Sequence, residues 1–549
     1  MRTETLALFA SAWFALACNG SFWKLLLAQA GGAPAWLLLP GSFLFVTGLQ
    51  WLLLLPVLTR WTAKPLLTLL FLTSAAAVYF MDTFHVYMDP PMVRNVLETD
   101  WHETRDLLSW RMVPYGLLLG VLPALLVWRI PLHRPAWRHS LHPRPVAMLL
   151  AVLLAGAGLA SVSQTVVPLV REQKAVRYLV TPGNYIYSLL KVTLGSTRAA
   201  VTPRETVGGD ARPGARWQQG RRPVALVIVV GETVRADNWG LDGYVRQTTP
   251  ELATRHDVVN FTHVSSCGTN TETSLPCMFS AWGRENYDED RIRHAESLLH
   301  VVTHAGVAVQ WRDNQSGCKG VCADLPQLGQ AELRTAALCR EDRCFDEVLL
   351  QGLDALIDQT PGNLVIVLHQ MGNHGPAYYQ RYPEAFRRYT PTCDTTELGE
   401  CTPEEIVNTY DNAVLYTDHL LNESIDLLAA RRSHDTALLY LSDHGESLGE
   451  HNLYLHSLPY AIAPEAQTHV PMVLWLSPGF AAGGGIDTAC LARHADERLS
   501  HDNLFHTVLG LLDIDTGAYD PALDLAAPCR HPVDQPQTAT SRPASTDRL

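Results

Sequence analysis

The run Ala437-Leu438-Leu439-Tyr440-Leu441-Ser442-Asp443-His444-Gly445-Glu446 decides the fold of the larger part of this chain. Its apolar stretch lacks polar alternation, as a strand buried on both faces requires, and it ends abruptly in an acid, an imidazole and a glycine. Two other segments repeat the pattern. Residues 225–230 run into Gly231-Glu232-Thr233, and residues 364–368 run into His369-Gln370-Met371-Gly372-Asn373-His374-Gly375. With 307–311 and 470–476 they make five buried strands, and the stretches between them read as helices. The clearest helix is expected over 403–430, with Thr402 as N-cap, Pro403 in the first turn, and Glu404 and Glu405 near the positive end. Strands alternating with helices imply a soluble α/β domain over 224–530, its mainly parallel sheet covered by helices.

In such sheets ligands bind just beyond the carboxyl ends of the strands. Here three strand ends deliver carboxylates and imidazoles, beside glycines, to one rim, which describes a metal site. Glu232, Asp443 and His444 are the expected ligands, and a carboxylate-plus-imidazole set suits zinc. Three protein ligands leave a position open for a nucleophile or a substrate oxygen. The segment from Ser265 to Cys277 offers hydroxyls just before a helix, whose free N–H groups favour an anion. Composition leaves Thr269, Thr271, Thr273 and the serines as alternatives.

The amino-terminal part differs in kind. Residues 1–165 are dominated by Leu, Ala, Val and Trp, in blocks that suit bilayer crossings at 7–29, 36–58, 65–81, 112–128 and 145–164. The first block has no small-x-small cleavage site and is expected to remain as a crossing. Arg2, Arg60, Lys64, Arg129, Arg134, Arg138 and Arg144 fall on one side, which makes that side cytoplasmic. The turn at Gly31 and Gly32, the loop 82–111 and everything after 165 then lie outside. Residues 166–223 read as interfacial helices followed by a Pro/Gly/Arg-rich linker over 202–223, and 531–549 as a disordered tail.

Cysteine usage agrees with an oxidising exterior. Of 11 cysteines, Cys18 lies in the first crossing, and eight of the others form close pairs: Cys267 with Cys277, Cys318 with Cys322, Cys339 with Cys344, and Cys393 with Cys401. A four-thiolate zinc site from Cys318, Cys322, Cys339 and Cys344 is the competing reading, and Cys490 with Cys529 is a candidate fifth bridge. The formal net charge of −13, with no long basic run, excludes a nucleic-acid backbone as partner.

The runs at 231–237, 369–376 and 442–450, together with Cys267-Gly268-Thr269-Asn270-Thr271 and Ser274-Leu275-Pro276-Cys277-Met278-Phe279-Ser280, resemble the lipid A phosphoethanolamine transferases, including the mobile colistin-resistance enzymes. The resemblance covers nearly the whole chain, in order. It implies an alkaline-phosphatase or sulfatase-type fold, Thr271 as nucleophile, and zinc held by Glu232, Thr271, Asp443 and His444. It implies that His374 and His456 contact substrate phosphate or a second zinc, that Lys319 contacts substrate, and that Asn95, Thr99 and Glu103 recognise lipid from one helix face. Gln315 stands where relatives carry Asn. The implied reaction moves phosphoethanolamine from phosphatidylethanolamine to a lipid A phosphate through a phosphothreonine. It would lower the negative charge of the cell surface and confer polymyxin resistance, carried out by a monomer of the Gram-negative inner membrane with its catalytic domain in the periplasm. The alternatives are a transferase of the same fold acting on core sugars or another envelope glycan, and a non-catalytic membrane sensor. A sulfatase is disfavoured, because the nucleophile segment lacks the C/S-x-P-x-R context.

Overall fold

The computed structural model describes residues 1–28, 35–99, 104–105, 107–133, 143–172, 174–201, 203–216, 221–340 and 343–531. Glu103, the Gly31–Gly32 turn, Arg134, Arg138 and the tail from 532 lie outside the described residues.

The membrane part is built from α1 (Thr3–Ala17), α2 (Gly20–Ala28), α3 (Ala35–Leu54), α4 (Ala63–Phe84), α5 (Pro90–Glu98), α6 (Met112–Arg129), α7 (Pro143–Glu172) and α8 (Gly183–Val201). Four of these, α3, α4, α6 and α7, are long and apolar enough to cross a bilayer, and α1 with α2 meets the same measure only as a pair, bent by 57° where they join. The unbroken crossing expected over 7–29 is thus interrupted. Asn19 supports the break: its Nδ2 donates to the carbonyls of Phe14 (2.7 Å) and Thr181 (3.0 Å), and its Oδ1 accepts from the Thr181 N–H (2.8 Å). A buried amide thereby takes up backbone groups that the bend frees where water is scarce. Helix α5 ends at Glu98, with Thr99 in extended geometry as its C-cap. Of the three residues expected on one helix face, Asn95 therefore lies within α5 and Thr99 caps it.

Helices α3 and α7 meet backbone to backbone. A Cβ on Gly158 would stand 2.4 Å from the Phe45 nitrogen, and one on Gly48 2.6 Å from that of Ala155.

The soluble part carries β1 (Val224–Gly231), β2 (Val258–Ser265), helix α9 (Thr271–Met278), β3 (Ala308–Asp313), β4 (Gln327–Leu328), β5 (Leu364–His369), helix α10 (Pro403–Ala429), β6 (Asp435–Ser442), β7 (His469–Leu476) and β8 (Leu499–Ser500). The eight strands form one sheet in the order β8-β2-β7-β6-β1-β5-β3-β4. From β6 to β4 every pairing is parallel, whereas β7 runs antiparallel to both its neighbours. Strand β1 shows why its apolar run is continuous: Leu226, Ile228 and Val230 enter one core, and Ala225, Val227 and Val229 enter the other. Strand β2 escapes the sequence reading because it alternates buried and partly exposed residues. Helix α10 starts at its expected cap, where Glu405 Oε2 accepts the Thr402 N–H at 2.7 Å and the Thr402 hydroxyl accepts the Glu405 N–H at 3.3 Å.

Register is what matters for function. Val230 pairs with His369, Asp313 with His369 and Gly231 with Ser442, so the residues that follow emerge level at one rim. The four expected disulfides form: Cys267 with Cys277, Cys318 with Cys322, Cys339 with Cys344, and Cys393 with Cys401. Cys490 with Cys529 makes a fifth. Bridging of Cys318, Cys322, Cys339 and Cys344 excludes the four-thiolate zinc site. The bridge between Cys393 and Cys401 closes the loop just ahead of α10, and the Cys393 N–H donates to the Thr409 hydroxyl of that helix at 2.7 Å.

Replacing Gly158 by Leu should overpack the α3–α7 contact and cost about 1–3 kcal/mol. Gly156→Leu, where a Cβ meets nothing within 4 Å, should cost little. Thermal unfolding of the two variants in detergent measures the difference.

Candidate active site

Glu232 follows β1, and Asp443 and His444 follow β6; their ligand atoms lie within 4.8 Å of one another and all three side chains are buried. The backbone is tensioned to bring them there. Thr233, a β-branched residue, sits at φ 60°, a strain of about 1–3 kcal/mol, held by the Tyr410 hydroxyl donating to its carbonyl at 2.7 Å.

Each ligand atom is oriented by a second contact. Asp443 Oδ1 accepts the N–H groups of Thr233 (3.1 Å) and His444 (2.7 Å), which leaves Oδ2 buried without a hydrogen-bond partner. His444 Nδ1 stands 2.9 Å from the Gly445 carbonyl. A carbonyl only accepts, so Nδ1 carries a hydrogen and Nε2 faces the acids, 3.3 Å from Glu232 and 3.4 Å from Asp443. Glu232 accepts from the Thr233 hydroxyl at 2.6 Å and from Gln315 Nε2 at 3.1 Å, so the Gln at position 315 does reach the site.

Thr271 opens helix α9, capped by Asn270, whose Oδ1 accepts the Thr273 N–H at 2.9 Å. The Thr271 hydroxyl lies 3.0 Å and 3.2 Å from the two Glu232 oxygens and 3.4 Å from His444 Nε2. Other hydroxyls of the segment are engaged elsewhere: Thr269 donates to the Leu458 carbonyl at 2.6 Å, Ser266 to that of Gly268 at 2.6 Å, and Ser274 to that of Asp443 at 2.5 Å.

Electrostatics explain what this cluster requires. Burial opposes every charge here. It works against the His444 imidazolium, yet the Asp443 and Glu232 carboxylates hold that pKa up at about 10. Burial, reinforced by the neighbouring Glu232 charge, pushes Asp443 up to about 6. Burial also pushes Glu232 upward, but the hydrogen bond and charge of His444 outweigh it and hold that carboxyl well below its usual range. Two carboxylates, an imidazole and an orphaned carboxylate oxygen converging in a dry space fit a divalent cation, which compensates both acids at once.

His456 and His374 stand beside the cluster. The His456 ring lies 4.4 Å from the His444 ring and 5.9 Å from that of His374. His456 Nδ1 is 3.1 Å from Glu446 Oε1, and Glu446 Oε2 accepts from the Tyr378 hydroxyl at 2.9 Å. Lys319 Nζ donates to the Ser316 hydroxyl at 2.9 Å and lies 3.9 Å from Glu272, the residue after Thr271. It lines a cavity of about 420 Å³ with Arg94, Lys191, Arg204 and Arg293, at the junction with α5 and α8. Arg94 and Glu98 of α5 reach that wall, whereas Asn95 and Thr99 do not.

Sequence reasoning passed over several residues that the fold gathers here. His369 Nδ1 is held 2.9 Å from Asp313 Oδ2, and its Nε2 is buried without a partner. Glu446 orients His456, and Arg293 binds both the carbonyl (2.6 Å) and carboxylate (2.7 Å) of Glu272. For His369 and Glu446 the signal was present, since both stand at the strand-end rim. Asp313 carries the same signal, as the last residue of β3 and level with His369, whereas Arg293 carries none, because only the tertiary fold brings it near.

Residues 225–514 match the sulfatase family, and residues 46–196 match the family described as phosphoethanolamine transferase EptA/EptB. The chain is 41% identical over 474 residues to phosphoethanolamine transferase EptA of Salmonella typhimurium, covering 86% of each chain. It is 38% identical over 465 residues to phosphatidylethanolamine transferase Mcr-1 of Escherichia coli, covering 83% of this chain and 84% of the relative. Among solved structures, the integral membrane lipooligosaccharide phosphoethanolamine transferase A of Neisseria meningitidis superposes with a TM-score of 0.89 at 39% identity, covering 97% of this chain and 99% of the other.

Cation binding must displace the His444 proton, because its pKa of about 10 keeps the metal-free imidazole charged at neutral pH. Affinity should therefore rise about tenfold per pH unit between about pH 6.5 and 8, and more steeply below about 6, where Asp443 also binds a proton. Calorimetric titration of metal-depleted protein with zinc, in buffers of differing ionisation enthalpy, should count about one proton released per ion at pH 7.5.

Proposed function

The chain belongs to the phosphoethanolamine transferases of EptA type, and from that premise we propose that Thr271 carries phosphoethanolamine from phosphatidylethanolamine to a phosphate of lipid A, beside a zinc ion held by Glu232, Asp443 and His444. The protein is a multi-pass protein of the Gram-negative inner membrane with its soluble domain in the periplasm. On this reading residues 1–165 form the membrane domain, 166–223 the connection and 224–530 the catalytic domain. The observation that carries the proposal is the Thr271 hydroxyl 3.0 Å from Glu232, inside a buried two-acid, one-imidazole cluster.

When bound, zinc supplies positive charge that eases loss of the threonine proton and offsets charge on the phosphoryl oxygens. The protein's own groups do the rest. Thr271 Oγ1 forms a bond to the donor phosphorus as the bond from phosphorus to the diacylglycerol oxygen breaks, and that oxygen takes a proton as diacylglycerol leaves. An oxygen of the acceptor phosphate then attacks the same phosphorus, the bond to Thr271 breaks, and the threonine regains its proton. His456, with Nδ1 directed at Glu446, presents Nε2 to pass the threonine proton to the departing diacylglycerol oxygen in the first step and a proton of the acceptor phosphate to Thr271 in the second; His374 is beside it. Lys319 and the four arginines and lysines of its cavity suit the phosphates of the acceptor. A second zinc between His374 and His456 is a further element of the proposal. Each ethanolamine ammonium added reduces the negative charge that draws cationic peptides, so the reaction protects against polymyxins.

Thr271→Ala should lower transfer at least about a thousandfold while leaving the fold intact. Mass spectrometry of lipid A from cells carrying either version measures this; full modification by the variant would exclude the mechanism. Glu446→Gln should lower turnover about tenfold and displace the pH–rate profile, because His456 loses the charge that opposes the lowering of its pKa by burial.

A further inference from the structure

We propose that Gln467 and Thr269 are positioning residues for the transfer: they hold the loop that carries His456 against the segment that carries Thr271, and so set the proton-passing imidazole relative to the nucleophile. The inference rests on the transferase reading above, in which His456 passes the proton.

That loop, residues 449–468, leaves the strand-end rim in a backbone conformation that its side chains resist. Besides glycine, His451, Asn452, Leu455 and Ser457 all have positive φ, between 52° and 79°. Leu455 and Ser457, at 62° and 79°, stand immediately on either side of His456. Leucine has no polar group with which to offset that geometry. Strain of about 1–3 kcal/mol at such a position persists only where surrounding contacts enforce it.

Two residues supply those contacts. The Ser457 N–H donates to the Thr269 carbonyl at 2.8 Å, and the Thr269 hydroxyl donates to the Leu458 carbonyl at 2.6 Å. Thr269 precedes Thr271 by two residues, so this reciprocal pair ties the nucleophile segment to the turn that follows His456. Gln467, 1% exposed, brackets the same histidine: its Nε2 donates to the Leu455 carbonyl at 3.1 Å, and its Oε1 accepts the Leu458 N–H at 3.3 Å. Gln467 also reaches the groups that face His456. Its Nε2 donates to the Ser447 hydroxyl at 2.9 Å, beside Glu446, and its carbonyl accepts at 3.0 Å the N–H of Gly445, whose own carbonyl orients His444. One buried amide therefore joins both flanks of His456 to the rim. Water does not compete for these side-chain bonds, because they are buried. Neither residue belongs to the Glu232, Asp443 and His444 cluster, so losing either side chain should displace His456 and leave the metal in place.

The full chain is reconstituted in nanodiscs containing phosphatidylethanolamine, and the first step is followed in single turnover as diacylglycerol release. A second donor, para-nitrophenyl phosphoethanolamine, has a leaving group that departs without a proton. Gln467→Met and Thr269→Val should each lower the maximal rate of diacylglycerol release about 10- to 100-fold, with the half-saturating donor concentration within about twofold and bound zinc unchanged. Thr269→Ser should restore the rate, and nitrophenolate release should stay within about twofold of wild type in every variant. His456→Ala should show the same contrast between the two donors. A wild-type rate with phosphatidylethanolamine in both Gln467→Met and Thr269→Val would overturn the proposal. So would an equal loss with both donors, or loss of zinc, as when the two residues only scaffold the metal cluster. No contrast in His456→Ala would instead overturn proton passage by that residue, and the proposal with it; a wild-type chain that releases no diacylglycerol would overturn the transferase reading itself.

Discussion

Buried charge with nowhere to go is the constraint on which the rest of this molecule depends. Glu232, Asp443 and His444 are withdrawn from water, and one oxygen of Asp443 is left without a hydrogen-bond partner. Such a cluster is tolerable when one more charged species completes it. The surrounding architecture holds the cluster in that state. Parallel strands of matched register deliver the three side chains to one rim, the strained Thr233 turns the backbone sharply, and the Cys267–Cys277 bridge and Arg293 fix the helix that presents Thr271. The Thr271 hydroxyl is set against Glu232 and His444 at the edge of this cluster.

Much of this was legible in the chain because the physics was local. Continuous apolar runs that stop at Glu232, His369 and Asp443 report a parallel sheet with functional residues at its carboxyl edge, and α10 announces itself through Thr402, Pro403 and Glu405. What escaped reading was whatever depends on distant segments. Strand β2 buries only alternate residues and so lacks the continuous apolar run that marks the central strands. The bend at Asn19 is held by Thr181, and the Asp313–His369 pair joins two strands that are neighbours only in the sheet. The hydroxyl that faces the cluster could not be chosen from composition, because every candidate in the segment is polar and small; the folded chain sets the Thr271 hydroxyl against Glu232 and turns those of Thr269, Ser266 and Ser274 elsewhere.

The membrane part serves as more than an anchor. Arg94 of α5 reaches Glu289 of the soluble part at 2.9 Å, Arg293 bridges Glu289 (3.6 Å) to Glu272 (2.7 Å), and Glu272 adjoins Thr271. A line of charged contacts therefore runs from the membrane helices to the nucleophile. A cavity rich in cations lies at this junction, lined by Lys319 with Arg94, Lys191, Arg204 and Arg293.

The central claim is that Thr271 becomes covalently loaded. Purified chain incubated with phosphatidylethanolamine in the absence of acceptor, quenched in acid and digested, allows the peptide containing Thr271 to be weighed directly. The account predicts a phosphoethanolamine adduct on Thr271 that disappears when lipid A is added before quenching. Diacylglycerol release with Thr271 unmodified at every time point, or an adduct on another residue that persists when lipid A is added, would contradict it.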